Sequence, residues 1–301
     1  MGDVKTILAI DGGGLFGVGV ADWIPKLGSR MFDCYAGTSV GSILAACYAI
    51  GLEPLKVQEM FNSGLARRIF TKPRLPWRLN WFRPAIYDNK EAQKVLEEVF
   101  GDRRVEDVKD GCSLVIVAWN YKKRKEKVFT SDKCNNRYLM RDAVLASMSA
   151  PSFFPIVRLL EEDGNPECLG DGGVCGNDPS LAGVAALREG ILRNGVVEKI
   201  QTRHIKCLSI GTSGVPREKK KFNVFWKLGW LQVVTDIIAQ GNASYTSYGV
   251  SHLLDDRYLR VSPEGLPDSK MDNFKLLPEI RKVWAEWDHT AAVNFLGEAV
   301  Q

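Results

Sequence analysis

The 301-residue sequence has no apolar stretch long enough to span a bilayer, so any membrane contact should be peripheral. The chain enters a strand-like run at Lys5 without a charged-then-apolar leader, which predicts no signal peptide. It has no Gly-Lys-Ser/Thr of a P-loop and no Cys-x-x-Cys pair. Its three histidines, His204, His252 and His289, show no metal-ligand spacing. These absences disfavour membrane-spanning proteins, P-loop nucleotidases and structural zinc sites.

Cysteine content, net charge and length further narrow the class of protein. The seven cysteines are an odd, scattered set, which favours reduced thiols in a cytoplasmic protein over a disulfide framework. A net charge of +4 is too small to indicate a nucleic-acid polymer as partner. With 301 residues and no low-complexity linker, we expect residues 1–301 to form a single domain.

Short apolar runs alternate with segments of helical periodicity. This pattern predicts an α/β fold with a mostly parallel central sheet sandwiched by helices in three layers. The predicted strands are 6–10, 32–36, 112–120 with a hairpin partner at 127–130, 205–210 and 258–261. The predicted helices are 42–50, 53–63, 91–100, 141–150, 230–239 and a closing region from Pro278, and two further helices open at Leu15 and at Asn177.

The most informative stretch is Gly37-Thr38-Ser39-Val40-Gly41, between a predicted strand and a predicted helix. A serine on such a sharp turn is held in a strained conformation with its hydroxyl presented, and only very small residues fit two positions away on either side. We therefore interpret Ser39 as the nucleophile of an elbow. A later Gly211-Thr212-Ser213-Gly214 is a weaker match, since Val215 stands where an elbow needs a small residue.

A second candidate is the loop Asp11-Gly12-Gly13-Gly14, which follows the first predicted strand. Three glycines let backbone N–H groups turn outward and bind an anion. The loop could cradle a nucleotide phosphate, as in a phosphotransferase, although Leu15 and Phe16 replace the expected hydroxyl or lysine. It could instead form an oxyanion hole for the serine, or be a tight turn only.

Asp171 stands between Gly170 and Gly172 after a short apolar approach. A carboxylate so placed is uncrowded and can reach a neighbouring serine, but an Asx turn explains the same residues. If all three candidate segments follow strands of a parallel sheet, they converge on one edge of that sheet.

Two stretches mix basic and aromatic residues, at 65–84 and 217–230. The first contains Arg67, Arg68, Trp77 and Trp81, and three prolines make it an irregular flap. Such a mixture suits an anionic lipid surface. The alternative is a loop with packed aromatics and solvated arginines.

Taken together, four motifs resemble the patatin-like phospholipase family. They are Asp11-Gly12-Gly13-Gly14-x-x-Gly17, Gly37-x-Ser39-x-Gly41, Ala146-Ser147-x-x-Ala150-Pro151-x-x-Phe154 and Asp171-Gly172-Gly173, in this order. The resemblance implies a Ser39–Asp171 dyad without histidine, with the N–H groups of Gly12, Gly13 and Gly14 as the oxyanion hole. One departure is Phe16, where the family often has a basic residue, so the headgroup preference is left open.

The function this resemblance implies is a metal-independent lipid acyl hydrolase without cofactor, acting on phospholipid or other acyl-lipid esters at a peripheral membrane surface. Alternatives are a transacylase, a membrane-degrading effector gated by a small-molecule activator or by homo-oligomerisation, a phosphotransferase, and a scaffold with an inactive hydrolase fold. We expect the protein to be cytoplasmic with transient membrane association.

Overall fold

The computed structural model describes residues 3–72, 85–132, 138–161, 164–193, 196–212, 227–267 and 272–297. Eight strands form one mixed sheet in the order β10-β9-β1-β2-β3-β6-β5, with β4 also pairing with β3. They are β1 (Lys5–Ile10), β2 (Cys34–Thr38), β3 (Ser113–Asn120), β4 (Lys125–Thr130), β5 (Val157–Leu160), β6 (Pro166–Asp171), β9 (Ile205–Ile210) and β10 (Tyr258–Val261). A separate hairpin comprises β7 (Ile191–Arg193) and β8 (Val196–Glu198).

The helices connect these strands and cover both faces of the sheet. They are α1 (Gly17–Trp23), α2 (Val40–Ala49), α3 (Pro54–Asn62), α4 (Leu65–Ile69), α5 (Asn89–Phe100), α6 (Met140–Met148), α7 (Ser180–Glu189), α8 (Lys227–Leu254), α9 (Leu277–Glu286) and α10 (Thr290–Leu296). No helix among the residues described above combines the length and apolarity that crossing a bilayer requires.

The central strands bury side chains on both faces, with the alternation that a pleated sheet imposes. Along β1, Leu8 and Ile10 belong to one core, whereas Ile7 and Ala9 belong to the other. Helices α2 and α6 pack on the first face, and α7 packs on the second. Strands β10, β9, β1, β2 and β3 are parallel. The predicted three-layer, mostly parallel α/β fold is therefore confirmed.

The pairing of β3 explains how two distant segments meet. One flank of β3 pairs with β4 over Val115–Asn120, so β2 and β6 must share the other flank. Strand β2 is parallel to β3 and ends with Thr38 beside Val117. Strand β6 is antiparallel and ends with Asp171 beside Ala118. The two strands thus run toward each other and stop at neighbouring positions.

Several strands and helices begin a few residues away from the predicted positions. Strand β2 begins at Cys34 rather than at residue 32, because the Asp33 carboxylate accepts hydrogen bonds from Lys5 and from the backbone of Thr6. Helix α2 begins at Val40, directly after Ser39. Of the six cysteines described, Cys34, Cys47, Cys112 and Cys207 are buried, and all six are free thiols.

The basic-aromatic stretches lie partly outside the described residues, which omit 73–84, with Trp77 and Trp81, and 213–226. Within the described part, Arg68 forms a two-point ion pair with Glu98 at 2.6 and 2.7 Å. The Arg67 guanidinium lies 5.1 Å from the centroid of the Phe274 ring. These two cations are thus engaged within the protein, and lipid contact by the stretches stays a prediction.

Candidate active site

Ser39 occupies the turn between β2 and α2 in a conformation that residues other than glycine seldom adopt. Its φ is 53° and its ψ is −124°. A Cβ atom at Gly37 would lie 2.3 Å from the Gly41 carbonyl oxygen, and one at Gly41 would lie 2.1 Å from the Ile10 carbonyl oxygen. The two glycines are therefore required by close backbone approach, as the elbow hypothesis expects.

The hydroxyl of Ser39 meets the carboxylate of Asp171. Ser39 Oγ donates to Asp171 Oδ2 at 2.8 Å, and the Gly173 N–H donates to Asp171 Oδ1 at 2.6 Å. Only 6% of Asp171 is exposed. Burial raises the pKa of Asp171 to about 6, and the hydrogen bonds from Gly173 and Ser39 oppose that shift. The carboxylate is thus a stronger proton acceptor than a solvated one.

A second serine, Ser147, fixes the backbone of the elbow turn. The Ser39 N–H donates to Ser147 Oγ at 2.9 Å, and Ser147 Oγ donates to the Val117 carbonyl at 2.6 Å. Ser147 is fully buried on α6. The sequence identified this serine only as part of a motif, because its role depends on a contact 108 positions away.

The glycine loop packs directly on the nucleophile. A Cβ at Gly12 would lie 3.0 Å from Ser39 Cβ. The Gly12 N–H donates to the Asn177 carbonyl at 3.2 Å, so this predicted oxyanion donor is engaged in the structure. Within the described ranges, the N–H groups of Gly13 and Gly14 have no hydrogen-bond partner. These two donors are the ones available to an anion beside Ser39.

Two side chains that sequence reasoning did not assign orient this loop. Asn177 Nδ2 donates to the Gly12 carbonyl at 3.4 Å, and Thr212 Oγ1 donates to the same carbonyl. In a trans peptide the Gly12 carbonyl and the Gly13 N–H point in opposite directions. Fixing the carbonyl therefore also fixes the direction of the Gly13 N–H. Thr212 lay in the weaker elbow match, whose Ser213 lies outside the described residues.

A buried ionic cluster anchors the start of the loop. Arg260 on β10 donates to both carboxylate oxygens of Asp11, at 2.8 and 2.5 Å, and lies 3.2 Å from Asp178. Both carboxylates are fully or almost fully buried. Burial raises the pKa of Asp11, and the charge of Arg260 opposes that shift. The cluster ties the loop to the edge strand β10 across β9, where Arg260 also donates to Ser209 Oγ.

The arrangement supplies a positioned hydroxyl, a buried carboxylate acceptor and two backbone donors that have no partner in the described part of the chain, which suits nucleophilic attack on a carbonyl. None of the three histidines is a hydrogen-bond partner of Ser39 or Asp171. Among the residues that the structure describes, no group of three or more His, Cys, Asp or Glu side chains is placed to hold a metal ion.

Comparison with known proteins identifies a matching family and several similar chains. A family model described as patatin-like phospholipase matches residues 8–182, more than half of the chain. A cGAMP-activated phospholipase of Pseudomonas aeruginosa is 25% identical over 283 residues, covering 88% of this chain and 80% of the relative. A cUMP-AMP-activated phospholipase of Escherichia coli is 28% identical over 247 residues, covering 77% and 72%. The solved structure of VipD from Legionella pneumophila has a TM-score of 0.46 at 12% identity, over 95% of this chain and 66% of that chain.

The ionic cluster leads to a stability prediction. Arg260→Met should lower the free energy of unfolding by about 3–5 kcal/mol, because it leaves two buried carboxylates without a cation. Lys282→Met is the control, since Lys282 is exposed and its carboxylate partner lies 3.9 Å away; it should change stability by less than about 1 kcal/mol. Urea denaturation measures both. Equal stability of the two variants would show that Arg260 is dispensable to the cluster.

Proposed function

Since the chain belongs to the patatin-like phospholipase family, we propose that it is a lipid acyl hydrolase in which Ser39 is the nucleophile and Asp171 is its base. The observation that carries this proposal is the 2.8 Å hydrogen bond from Ser39 Oγ to Asp171 Oδ2 at a strained elbow. No histidine is needed, because the carboxylate contacts the hydroxyl directly.

In the proposed reaction, Asp171 takes the Ser39 proton as the hydroxyl oxygen attacks the ester carbonyl. The N–H groups of Gly13 and Gly14 stabilise the tetrahedral oxyanion, at roughly 3–4 kcal/mol for a donor of this kind. The Gly12 N–H would join them only after leaving the Asn177 carbonyl. The alcohol leaves with the proton from Asp171, and water then hydrolyses the acyl-enzyme. We propose that these steps require no metal ion.

Ser39→Ala should abolish fatty-acid release, and Asp171→Asn should lower kcat by about 10²–10⁴-fold, because the amide accepts no proton. Release is measured from a soluble short-chain ester and from phospholipid vesicles, with EDTA present. Products are identified by mass spectrometry, so that transfer of the acyl group to an alcohol is distinguished from hydrolysis.

Ser63→Ala is the matched control, because Ser63 is exposed and its hydroxyl donates to the Met60 carbonyl of the preceding helix. A fluorophosphonate probe should label the wild type and the control but not Ser39→Ala. Full activity of either dyad variant would exclude the dyad, and an unlabelled, inactive wild type would favour a scaffold.

The pH dependence should report the ionisation of Asp171. The base is active when ionised, so kcat/KM should fall about tenfold per pH unit well below its pKa of about 6.

The same raised pKa means that this carboxyl contributes most to folding stability below its ordinary value of 3.8, and that this contribution is lost as the pH rises through about 6. Asp171→Asn should lack this part of the stability profile, measured by urea denaturation across the pH range. For the reaction, a wild-type kcat/KM that is flat between about pH 4 and pH 7 would contradict the assignment of Asp171 as the base.

The names of the two bacterial relatives favour regulation as a further part of the proposal, since both are activated by cyclic dinucleotides. We propose that a small nucleotide of this class raises the activity of this chain on lipid vesicles and that the protein binds those vesicles peripherally.

To test this, cyclic dinucleotides are added one at a time to the protein with vesicles of mixed phospholipids, and fatty-acid release and co-flotation of the protein are measured together. Ser39→Ala should still float but release no fatty acid. Identical turnover with and without every nucleotide would reject activation, and absence of co-flotation would reject membrane binding.

A further inference from the structure

Helix α8 has apolar side chains on two opposite sides. One side contributes Ala243, Val250 and Leu254 to the buried part of the protein. The opposite side exposes a stripe, which we call the α8 stripe: Val234, Ile238, Gly241, Tyr245, Tyr248 and His252, with Ile237 beside it. Tyr245 and Tyr248 are 79% and 63% exposed, and Ile237 is 54% exposed. A helix that is apolar on both sides normally has a partner on both sides.

The spacing within the α8 stripe indicates another helix as that partner. Successive members are separated by four, three, four, three and four positions, which is the alternation of the a and d positions of a heptad. A seam with this average period of 3.5 residues stays in line along a neighbouring helix.

The order of residues in the stripe makes it complementary to itself. Aliphatic side chains lie on the N-terminal side of Gly241 and aromatic ones on the C-terminal side. An antiparallel pair centred on Gly241 would place Ile238 against Tyr245 and Val234 against Tyr248 of the second copy. Among the described residues no atom lies within 4 Å of a Cβ position at Gly241, so two such glycines allow close approach of the helices.

Charge favours a second copy over a lipid surface for this face. Residues 237–254 contain no Lys, Arg, Asp or Glu. The stripe therefore offers no cation to an anionic headgroup, and two copies of it meet without repulsion. The exposed area also suffices, because four tyrosines and six aliphatic side chains in a pair bury on the order of 1,000 Å², the lower limit for a specific interface.

The same helix contacts the loop that follows Asp171. Asn242 Oδ1 accepts a hydrogen bond from the Asn177 N–H at 2.8 Å, and Asn242 Nδ2 donates to the Gly173 carbonyl at 2.8 Å. Gly173 holds Asp171, and Asn177 holds Gly12. Asn242 thus connects α8 to both the carboxylate and the glycine loop, which makes it a positioning residue.

We propose that two copies of this chain pair through antiparallel α8 helices centred on Gly241, and that pairing steadies the Asp171 loop through Asn242. The pairing itself is independent of the enzymatic reaction, whereas its effect on turnover rests on the proposed function. The partner is thus a second copy of the chain, and its contribution to the site is the position of α8.

Sedimentation velocity over a range of protein concentrations tests the pairing. The wild type should show a reversible monomer–dimer equilibrium. Tyr245→Glu and Ile238→Glu should each weaken it by at least about 10²-fold, which corresponds to about 2.8 kcal/mol. Leu55→Glu is the matched control, since Leu55 is 64% exposed on α3, away from the stripe, and its dimer should be unchanged. Gly241→Leu should weaken the dimer while circular dichroism shows an intact fold.

Cysteine cross-linking tests the direction of the pair. In the antiparallel arrangement Gly241→Cys should cross-link to its own copy under mild oxidation, whereas Tyr245→Cys should not exceed the wild-type background. Cross-linking of both variants would indicate parallel helices and overturn the antiparallel assignment. A wild type that stays monomeric, or stripe variants that dimerise normally, would overturn the pairing. Loss of vesicle binding by stripe variants of a monomeric protein would assign the face to lipid instead.

Activity on a soluble ester tests the coupling to the site. Wild-type specific activity should rise with the dimer fraction, and Asn242→Ala should lower kcat at least fivefold without changing KM or the dimer constant. A rate independent of dimer fraction, or an Asn242→Ala variant as active as the wild type, would overturn the coupling. Activity retained by Ser39→Ala would reject the proposed function and leave the sedimentation result intact. A monomeric wild type inactivated by Ser39→Ala would reject only the pairing.

Discussion

The site depends on the hydrogen-bond register of β3, which brings the ends of two opposed strands together on one flank. Strand β2 stops at Thr38 and β6 stops at Asp171, beside neighbouring residues of β3. The serine that follows one end and the carboxylate that terminates the other are then within hydrogen-bond distance. No loop closure is required, and the spacing of the two groups is fixed by backbone pairing in the interior of the sheet.

Around this pair, polar groups that are separated widely in sequence fix the loops. Arg260 holds Asp11 at the start of the glycine loop, Thr212 and Asn177 hold the Gly12 carbonyl, and Asn242 holds the turn after Asp171. Most of these contacts join a side chain to a backbone group. Such contacts fix the direction of an N–H or a carbonyl, and direction is what a preorganised oxyanion site needs. The strain at Ser39 is tolerated because Ser147 and the buried glycine contacts constrain the same turn.

Local patterns were sufficient to predict the features that depend on neighbouring residues. The elbow at Ser39 follows from glycines two positions away, and the core strands follow from short apolar runs such as 205–210. Strand β5 was not predicted, because two of its four residues are exposed. Strand β6 was expected only as a short apolar approach to Asp171, because it begins with a proline and a glutamate. The expectation that Asp171 follows a parallel strand also fails, since β6 is antiparallel to β3. The engagement of the Gly12 N–H and the contacts of Asn242 could not be predicted, because each joins positions at least 65 residues apart.

The arrangement of β3 also bears on how the chain tolerates changes of length. Between β4 and β6 the chain forms α6 and the edge strand β5, and β6 then pairs with Ala118, Trp119 and Asn120 of β3, which also pair with β4. A residue inserted at the exposed Gly164 or Asn165, between β5 and β6, leaves the hydrogen-bond ladder of β3 unshifted. Related chains are therefore free to vary in size there, whereas a single residue added within β3 between Val117 and Ala118 would separate the hydroxyl from the carboxylate by one step of the strand.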